Sequence, residues 1–276
     1  MSFPCPLPEL KHFETETFVS SSLHENEYPT TSASLISRTQ GWVANAQRIV
    51  EVYDTESGFL LKVEDCGEYF IAPHGETVGW SGWQPDRDLR KIDREIILGP
   101  VIVLALALRN IWSLHASAVM YNGNVVVFLG ESGQGKSTLT TYLAQNAGWQ
   151  LVADDILPVK IDENGVSVLP HFPQLKLPIN AQPGVGLPES LPLKYICVLT
   201  HAEPSQMPEL QTLSTAQTVQ SLLGHIAGTR MFNAELLTKH LKFSTQAGKQ
   251  IPAYRLIHPH RRDTLPLIRE FLEKLC

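Results

Sequence analysis

The sequence predicts an α/β domain that follows a smaller β-rich domain. Residues 1–98 carry short β-rich segments separated by glycine-containing turns, which indicates an antiparallel meander. From about residue 112 the pattern changes, because the continuous apolar run NVVVFLG is typical of a strand buried on both faces and a helical pattern follows it. We therefore expect two domains, residues 1–98 and residues 99–276.

The strands of the first domain are predicted from three segments, RIVEVYD, GFLLKVED and EYFIAP. After them, EIILGPVIVLALALRN is apolar almost throughout and predicts a buried helix that links the two domains. Its longest apolar run, VIVLALAL, is too short to cross a bilayer.

The second domain alternates strands and helices. KSTLTTYLAQNAG predicts a helix on which Leu139 and Leu143 share one face, and WQLVADD predicts the next strand. The segments ILPVKI and VSVLP flank DENG, whose Asn-Gly favours a hairpin. Ser214 is placed to cap a helix in STAQTVQSLLGHIAG, and DTLPLIREFLEKL predicts a closing amphipathic helix.

Composition excludes several classes of protein. The chain has 276 residues and a formal net charge of −6, and no basic stripe indicates a nucleic-acid partner. The N-terminus lacks the basic start and apolar middle of a signal peptide, and no segment predicts a membrane span. The four cysteines have neither zinc-type nor redox-type spacing, which favours free thiols. We expect a cytoplasmic protein.

A glycine-rich loop is the strongest candidate site. The pattern G-x-x-x-x-G-K-[ST], known as Walker A, is met by Gly130, Glu131, Ser132, Gly133, Gln134, Gly135, Lys136 and Ser137. Glycines let several backbone N–H groups point at one anion, and the following helix adds the positive end of its dipole. Lys136 can reach the β- and γ-phosphates, while the Ser137 hydroxyl can ligate Mg²⁺. The loop therefore predicts binding of ATP or another NTP.

An Asp-Asp pair follows the loop after only one helix. Asp154 and Asp155 are expected to end the strand, where a carboxylate can hold the metal or take a proton from an incoming hydroxyl. Adjacent residues on a strand point to opposite faces, so the two can share one task only if the strand ends between them. The short spacing from the loop favours a functional interpretation.

The loop and its flanks resemble the core of the HPr kinase/phosphorylase family and its phosphoenolpyruvate carboxykinase relatives, over LHASAVMYNGNVVVFLGESGQGKSTLTTYLAQNAGWQLVADD. These families also place a histidine shortly before the loop and an Asp-Asp pair shortly after it. The resemblance implies a P-loop core with a mixed β-sheet, like the HPr kinase C-terminal domain. It is specific over residues 112–160, and none is seen in residues 1–98.

The resemblance implies a role for each matching position. Gly130 to Thr138 would hold the nucleotide. Asp154 would be the general base and Asp155, with Ser137, a metal ligand, although the two aspartates could be exchanged. His115 would lie near the transferring phosphoryl group, and Arg230, after a predicted helix, would stabilise charge during transfer. The alternative for His115 is a structural strand residue, and for Arg230 a helix cap.

The sequence also departs from the family. The Glu-Ile-Arg-Gly-Leu-Gly signature that follows the Asp-Asp pair in HPr kinases is absent, which argues against HPr as the acceptor and against phosphorylase activity. The layout is more similar to a divergent branch in which members accompanying lasso-peptide pathways phosphorylate a serine of the precursor peptide. HPr kinases form hexamers, so a homo-oligomer is compatible with the resemblance, but no stretch identifies an interface.

Two functions follow as hypotheses. The first is a serine kinase that transfers the γ-phosphoryl group of an NTP to a protein or peptide, with Mg²⁺ as cofactor. In that case the residues 1–98 would recognise the acceptor or another partner. The alternative is a regulatory module that binds NTP and hydrolyses it slowly. The loop reads phosphates and not the base, so the sequence does not choose between ATP and GTP.

Overall fold

The computed structural model describes residues 33–43, 46–81, 90–174, 183 and 186–276. The chain divides into two compact units. The first unit contains Met1–Trp112 and Gly228–Lys239, and the second contains Ser113–Ala227 and His240–Cys276.

The first unit contains a five-stranded sheet whose strands follow one another in chain order. They are β1 (Ser34–Val43), β2 (Ala46–Thr55), β3 (Gly58–Val63), β4 (Gly67–Ile71) and β5 (Val78–Trp80). Every neighbouring pair is antiparallel, which confirms the predicted meander. The turn before β3 needs Gly58, because its φ is +136° and an added Cβ would lie 2.2 Å from the Ile71 carbonyl oxygen.

The apolar segment after this sheet is helical and buried, as predicted, but it is not one regular helix. α1 (Lys91–Ile96) runs into a π-helical turn (Ile97–Val101), and α2 (Ile102–Leu108) follows. Gly99 leaves helical geometry with φ −89° and ψ −111°, directly before Pro100. Proline lacks the N–H that an α-helix requires, so the kink arises where the regular hydrogen bonding is interrupted.

The second unit is built on a seven-stranded sheet. Because helices accompany both sheets, the described chain is a mixed α/β protein. The strands are β6 (Trp112–Tyr121), β7 (Asn124–Leu129), β8 (Trp149–Asp162), β9 (Gly165–Val168), β10 (Leu191–His201), β11 (Glu209–Thr212) and β12 (Ala253–His258). Their order is β11-β12-β10-β7-β6-β8-β9, and β9 also pairs with the start of β10. β10 is parallel to both β7 and β12, whereas β6 is antiparallel to β7, so the sheet is mixed.

Four further α-helices lie in the described residues: α3 (Lys136–Ala144), α4 (Thr215–His225), α5 (Ala234–Gln250) and α6 (Leu265–Leu275). The residues of α5 up to Lys239 belong to the first unit, and the others to the second. α3, α4 and α6 confirm predicted helices, and the side chain of Ser214 caps α4 by accepting from the Gln217 N–H. The sequence patterns did not predict α5. The predicted hairpin is confirmed by β8 and β9, which pair antiparallel around the Asn-Gly turn.

The core of the second unit lies where α3 and α6 pack against the sheet. Leu139 and Leu143 are both buried, as their predicted shared face requires, beside Ile268 and Leu272 of α6. These side chains contact the strand residues of β7, β10 and β12, which fixes the start of α3 relative to the end of β7.

Two further expectations concern the membrane and the cysteines. Within the described residues, every helix is too short or too polar to span a bilayer. Cys66, Cys197 and Cys276 are free thiols, as predicted, while Cys5 lies outside the described residues.

Candidate functional site

The glycine-rich loop joins the end of β7 to the start of α3. Gly133 and Gly135 have φ values of +86° and +89°, in the left-handed region that glycine adopts without steric cost. Gly135 is the N-cap of α3 and supplies no side chain to the first-turn N–H groups. The helix therefore presents backbone donors and the positive end of its dipole at the loop, which is the arrangement that binds anions.

Lys136 lies within this loop as a buried cation. Its side chain is folded back, and Nζ donates hydrogen bonds to the Gly130 carbonyl at 2.6 Å and the Glu131 carbonyl at 3.2 Å. Only 8% of the residue is exposed. The next two residues, Ser137 and Thr138, are both exposed at the start of α3. A positive charge and two hydroxyl groups thus lie at the end of β7.

The aspartate pair contacts β6, the strand beside β8 in the sheet. Ser117 Oγ donates a 2.6 Å hydrogen bond to Asp154 Oδ1, and His115 Nδ1 lies 3.4 Å from Asp155 Oδ1. His115 and Ser117 are two positions apart on a strand, so their side chains project from one face. Two consecutive aspartates therefore meet the same face of β6.

This arrangement corrects the expectation that the strand ends at the aspartate pair. β8 continues to Asp162, and Asp154 and Asp155 lie in its interior. Asp155 has a φ of +151°, which residues other than glycine rarely adopt, so the regular alternation of side chains is broken at that position. Such backbone strain costs about 1–3 kcal/mol and is concentrated at functional sites.

A buried glutamine holds the backbone on both sides of Asp155. Gln174 is 2% exposed, and its Oε1 accepts a 3.0 Å hydrogen bond from the Asp154 N–H. Its Nε2 donates to the carbonyls of Ile156 and Phe172, both at 2.9 Å. The amide thus bridges residues 154 and 156 and fixes the irregular backbone between them. Because it lies well beyond the Asp-Asp motif, sequence patterns gave no signal for it.

His115, the aspartates and the loop lie at one edge of the sheet. Ser117 pairs with Phe128, one residue before the end of β7. Because β6 and β7 are antiparallel, His115 lies two positions further toward the edge where β7 ends and the loop begins. Asp155 contacts His115, so the carboxylates and the loop flank the same strand end.

The oxygen atoms near the loop suit a magnesium ion. Mg²⁺ prefers oxygen ligands and is commonly held by one or two carboxylates together with substrate phosphates. The Asp155 carboxylate and the Ser137 hydroxyl are oxygen ligands of that kind. Within the described residues, no group of three or more His, Cys, Asp or Glu side chains is arranged to hold a metal by itself. A site shared with a triphosphate fits these residues, and a complete protein cage does not.

Arg230 belongs to the other unit. It lies in a short 3₁₀ turn (Thr229–Met231) and is exposed. This turn follows Gly228, whose φ is +81°. Its role at the site stays a prediction.

Three histidines lie at the carboxyl ends of β10 and β12. His258 is buried, and the position of an added Cβ on Gly135 would be 3.5 Å from its Cε1 atom. The ring centroid of His260 is 4.2 Å from that of His201 and 5.8 Å from that of His258. The charged composition of the segment HPHRRD is typical of a solvated turn, but its first histidine is a buried neighbour of the loop. Only the parallel register of the strands reveals this placement.

Comparison with known proteins gives a matching family model and similar solved structures. The structure of the Hpr(Ser) kinase/phosphatase from Coxiella burnetii is similar to this chain with 17% identity and a TM-score of 0.34, over 59% of this chain and 94% of that chain. At this TM-score the likeness carries no argument about the site or the reaction. No curated protein matches the chain. The family described as SynChlorMet cassette protein ScmC matches residues 85–260, which is more than half of the chain. The chain therefore belongs to the SynChlorMet cassette protein ScmC family.

Proposed function

We propose that this protein is a kinase that transfers the γ-phosphoryl group of an NTP to a serine-type hydroxyl of a protein or peptide. The observation that carries the proposal is the shared strand end, where the glycine-rich loop after β7 is flanked by the His115–Asp155 contact. A loop of this kind binds triphosphates, and carboxylates beside it can accept the proton of an attacking hydroxyl.

In the proposed reaction, the oxygen of the acceptor hydroxyl bonds to the γ-phosphorus, and Asp154 accepts the proton of that hydroxyl. The bond between the γ-phosphorus and the bridging oxygen breaks at the same centre, and NDP leaves. Lys136 and the first-turn N–H groups of α3 hold the phosphates in line with the acceptor. Asp155 and Ser137 would hold Mg²⁺, which neutralises charge on the phosphates when bound.

Two hydrogen bonds support the assignment of Asp154 as the base. Its carboxylate is oriented by Ser117, and its backbone N–H is fixed by Gln174. A general base acts only when it is held within hydrogen-bond reach of the proton that it removes. Asp155 instead contacts His115, whose ring would lie beside the transferring group.

The first test is phosphorylation itself. The full chain is incubated with Mg²⁺, γ-labelled ATP and serine-containing peptides, including any precursor peptide encoded beside its gene, and the products are weighed by mass spectrometry. We expect a peptide heavier by one phosphoryl group. ATP binding with slow hydrolysis and no peptide product would instead support the alternative, a regulatory nucleotide-binding module.

The second test separates the two aspartates. Asp154→Asn is expected to lower kcat at saturating Mg²⁺, whereas Asp155→Asn is expected to raise the Mg²⁺ concentration needed for half-maximal rate. Asp162→Asn is a matched control, because Asp162 lies on the same strand but accepts a hydrogen bond within the hairpin turn. The opposite pattern for the two variants would exchange their roles.

We further propose that the first unit binds the acceptor by strand addition. Within the described residues, β1 pairs with β2 alone and forms one edge of the five-stranded sheet. An extended peptide can pair with such an edge through main-chain hydrogen bonds. Leu35 on β1 is 53% exposed and offers an apolar contact. Leu35→Asp is expected to raise KM for the peptide and leave KM for ATP unchanged.

A further inference from the structure

Three histidines form a group of imidazole rings, named here the histidine cluster: His201, His258 and His260. His201 ends β10 and His258 ends β12, and the two residues are register partners in the parallel pair. His260 lies two residues after His258, and its ring makes an edge contact with His201 at 4.2 Å. His201 and His260 are exposed, whereas His258 is buried.

Two rings of the cluster adjoin the glycine-rich loop, because His258 Cε1 and His260 Nε2 lie 3.5 Å and 3.9 Å from the position of an added Cβ on Gly135. β7, β10 and β12 are parallel, so their carboxyl ends meet at the edge of the sheet where the loop begins. His258 packs against Gly135 at van der Waals distance from the position of an added Cβ. Ligands of open α/β sheets bind outside the carboxyl ends of parallel strands. The cluster thus lies where a ligand held by the loop can extend.

Sheet order gives a bound nucleotide a direction. β6 and β8 carry His115 and the aspartates on one side of β7, while β10 and β12 carry the histidine cluster on the other. If the terminal phosphate faces Asp154, as in the proposed function, the rest of the nucleotide extends away from β6 and β8. It then reaches the ends of β10 and β12.

We propose that the histidine cluster binds the base and ribose of the nucleotide. This proposal rests on the proposed function, because the direction of the nucleotide follows from the position of Asp154. Flat aromatic rings stack on nucleobases without strong preference among them, and the exposed rings of His201 and His260 are available for such contact. His258 lies beside both Gly135 of the loop and His260, so it joins the part of the site that would hold the phosphates to the part that would hold the nucleoside.

The experiment compares two ligands that share phosphates but differ in the nucleoside. Binding of ATP and of inorganic tripolyphosphate, each with Mg²⁺, is measured by calorimetry on the full chain. His201→Ala and His260→Ala are each expected to weaken ATP binding about tenfold, the size typical of a lost base–aromatic stack. Tripolyphosphate binding is expected to stay unchanged. His260→Phe, which retains a flat ring, is expected to keep most of the affinity for ATP.

Two controls separate this proposal from the proposed function. Lys136→Ala should weaken both ligands, and His74→Ala, an exposed histidine of the first unit, should weaken neither. Equal losses for both ligands in the His201 and His260 variants, or no loss for either, overturn the nucleoside proposal while the proposed function stands. If the unaltered protein binds neither ATP nor tripolyphosphate, the proposed function fails and this proposal fails with it.

Discussion

The two sides of β7 differ in charge, in burial and in the way their residues are held. On the β6 and β8 side lie two half-buried carboxylates. Asp154 accepts a hydrogen bond from Ser117 and donates its backbone N–H to Gln174, and Asp155 contacts His115. On the β10 and β12 side, the histidine cluster is held mainly by ring contacts. We infer that the first side performs chemistry, which requires fixed proton acceptors, and that the second side provides binding.

This difference also shows how function is distributed around a loop of this kind. A glycine-rich loop before a helix supplies general anion binding through its backbone, and so such loops serve many reactions. The side chains at neighbouring strand ends then determine what happens to the bound anion. Substitutions on the two sides should therefore have separable effects. Those on the β6 and β8 side should change the rate of transfer, and those on the β10 and β12 side should change the affinity for the nucleotide.

The largest expected effect is on the carboxylate side. Asp154→Asn should lower kcat about 10²- to 10⁴-fold, the usual contribution of a general base. The affinity for ATP should change little, because the phosphates are held by the loop. Steady-state kinetics with a peptide that the protein phosphorylates measure kcat, and calorimetry measures the affinity for ATP. A fall in ATP affinity as large as that from Lys136→Ala would remove the distinction between the two sides.

A smaller effect is expected from the buried amide that holds the irregular backbone. Gln174→Leu leaves the partly buried Asp154 N–H and Ile156 carbonyl without this partner, and an unpaired group costs about 1–3 kcal/mol when water cannot replace the partner. We expect urea unfolding to give a lower free energy of unfolding for the variant. We also expect a lower kcat at a temperature where the variant is still folded, so that the loss of stability does not explain the loss of rate.

The control for Gln174 is a buried polar residue away from the aspartates. Thr140→Val removes hydrogen bonds that the Thr140 hydroxyl donates to the carbonyls of Lys136 and Ser137, without touching β8. Because Thr140 lies on α3, Thr140→Val should lower ATP affinity more than it lowers kcat. Equal losses of kcat and ATP affinity in Gln174→Leu would show a general loss of structure and not a positioning role.

These residues show which parts of the site the sequence reveals. The loop and α3 could be predicted because their pattern is local and each residue type has a physical purpose. The Asp-Asp motif was visible too, but its geometry was not, since nothing in the sequence indicates a φ of +151° at Asp155. Ser117 and Gln174 lie 37 and 20 residues from Asp154, so their contacts depend on strand register and not on spacing.

The fold shows the same limit. The meander of the first unit follows from short turns between consecutive strands, and the β-rich segments separated by glycine-containing turns predicted it. The order of the second sheet depends on pairings between distant strands, such as β10 with β7 and β12. Helix α5 was missed because its polar composition gave no clear apolar run, although Phe243 and Ala247 on it are buried. Tertiary packing, which the local pattern does not specify, determines these features.

A more modest effect is expected from the hydroxyl that orients the base. Ser117→Ala removes the hydrogen bond to Asp154 but leaves the carboxylate in place. Hydrogen bonds to charged groups contribute about 1.5–3 kcal/mol, and the exposed part of the site allows water to replace some of this. We expect kcat to fall about tenfold, less than for Asp154→Asn. Ser117→Thr, which retains a hydroxyl, should restore most of the rate.

The smallest effect tests the histidine side through pH. Burial lowers the pKa of His258, and the neighbouring rings of His260 and His201 lower it further, against an opposing contribution from the Pro259 and Gln134 backbone. The folded state therefore favours the neutral ring, whereas the unfolded chain takes up a proton near the ordinary value of 6.5. The unfolded state binds more protons below that pH, so the free energy of unfolding should decrease as the pH falls below about 6.5.

In His258→Asn the decrease should be shallower, while His240, whose pKa is also lowered by burial, contributes equally to both proteins. Urea unfolding at a series of pH values between 8 and 5 measures the two slopes, and equal slopes would mean that His258 does not remain buried as a neutral ring beside the loop.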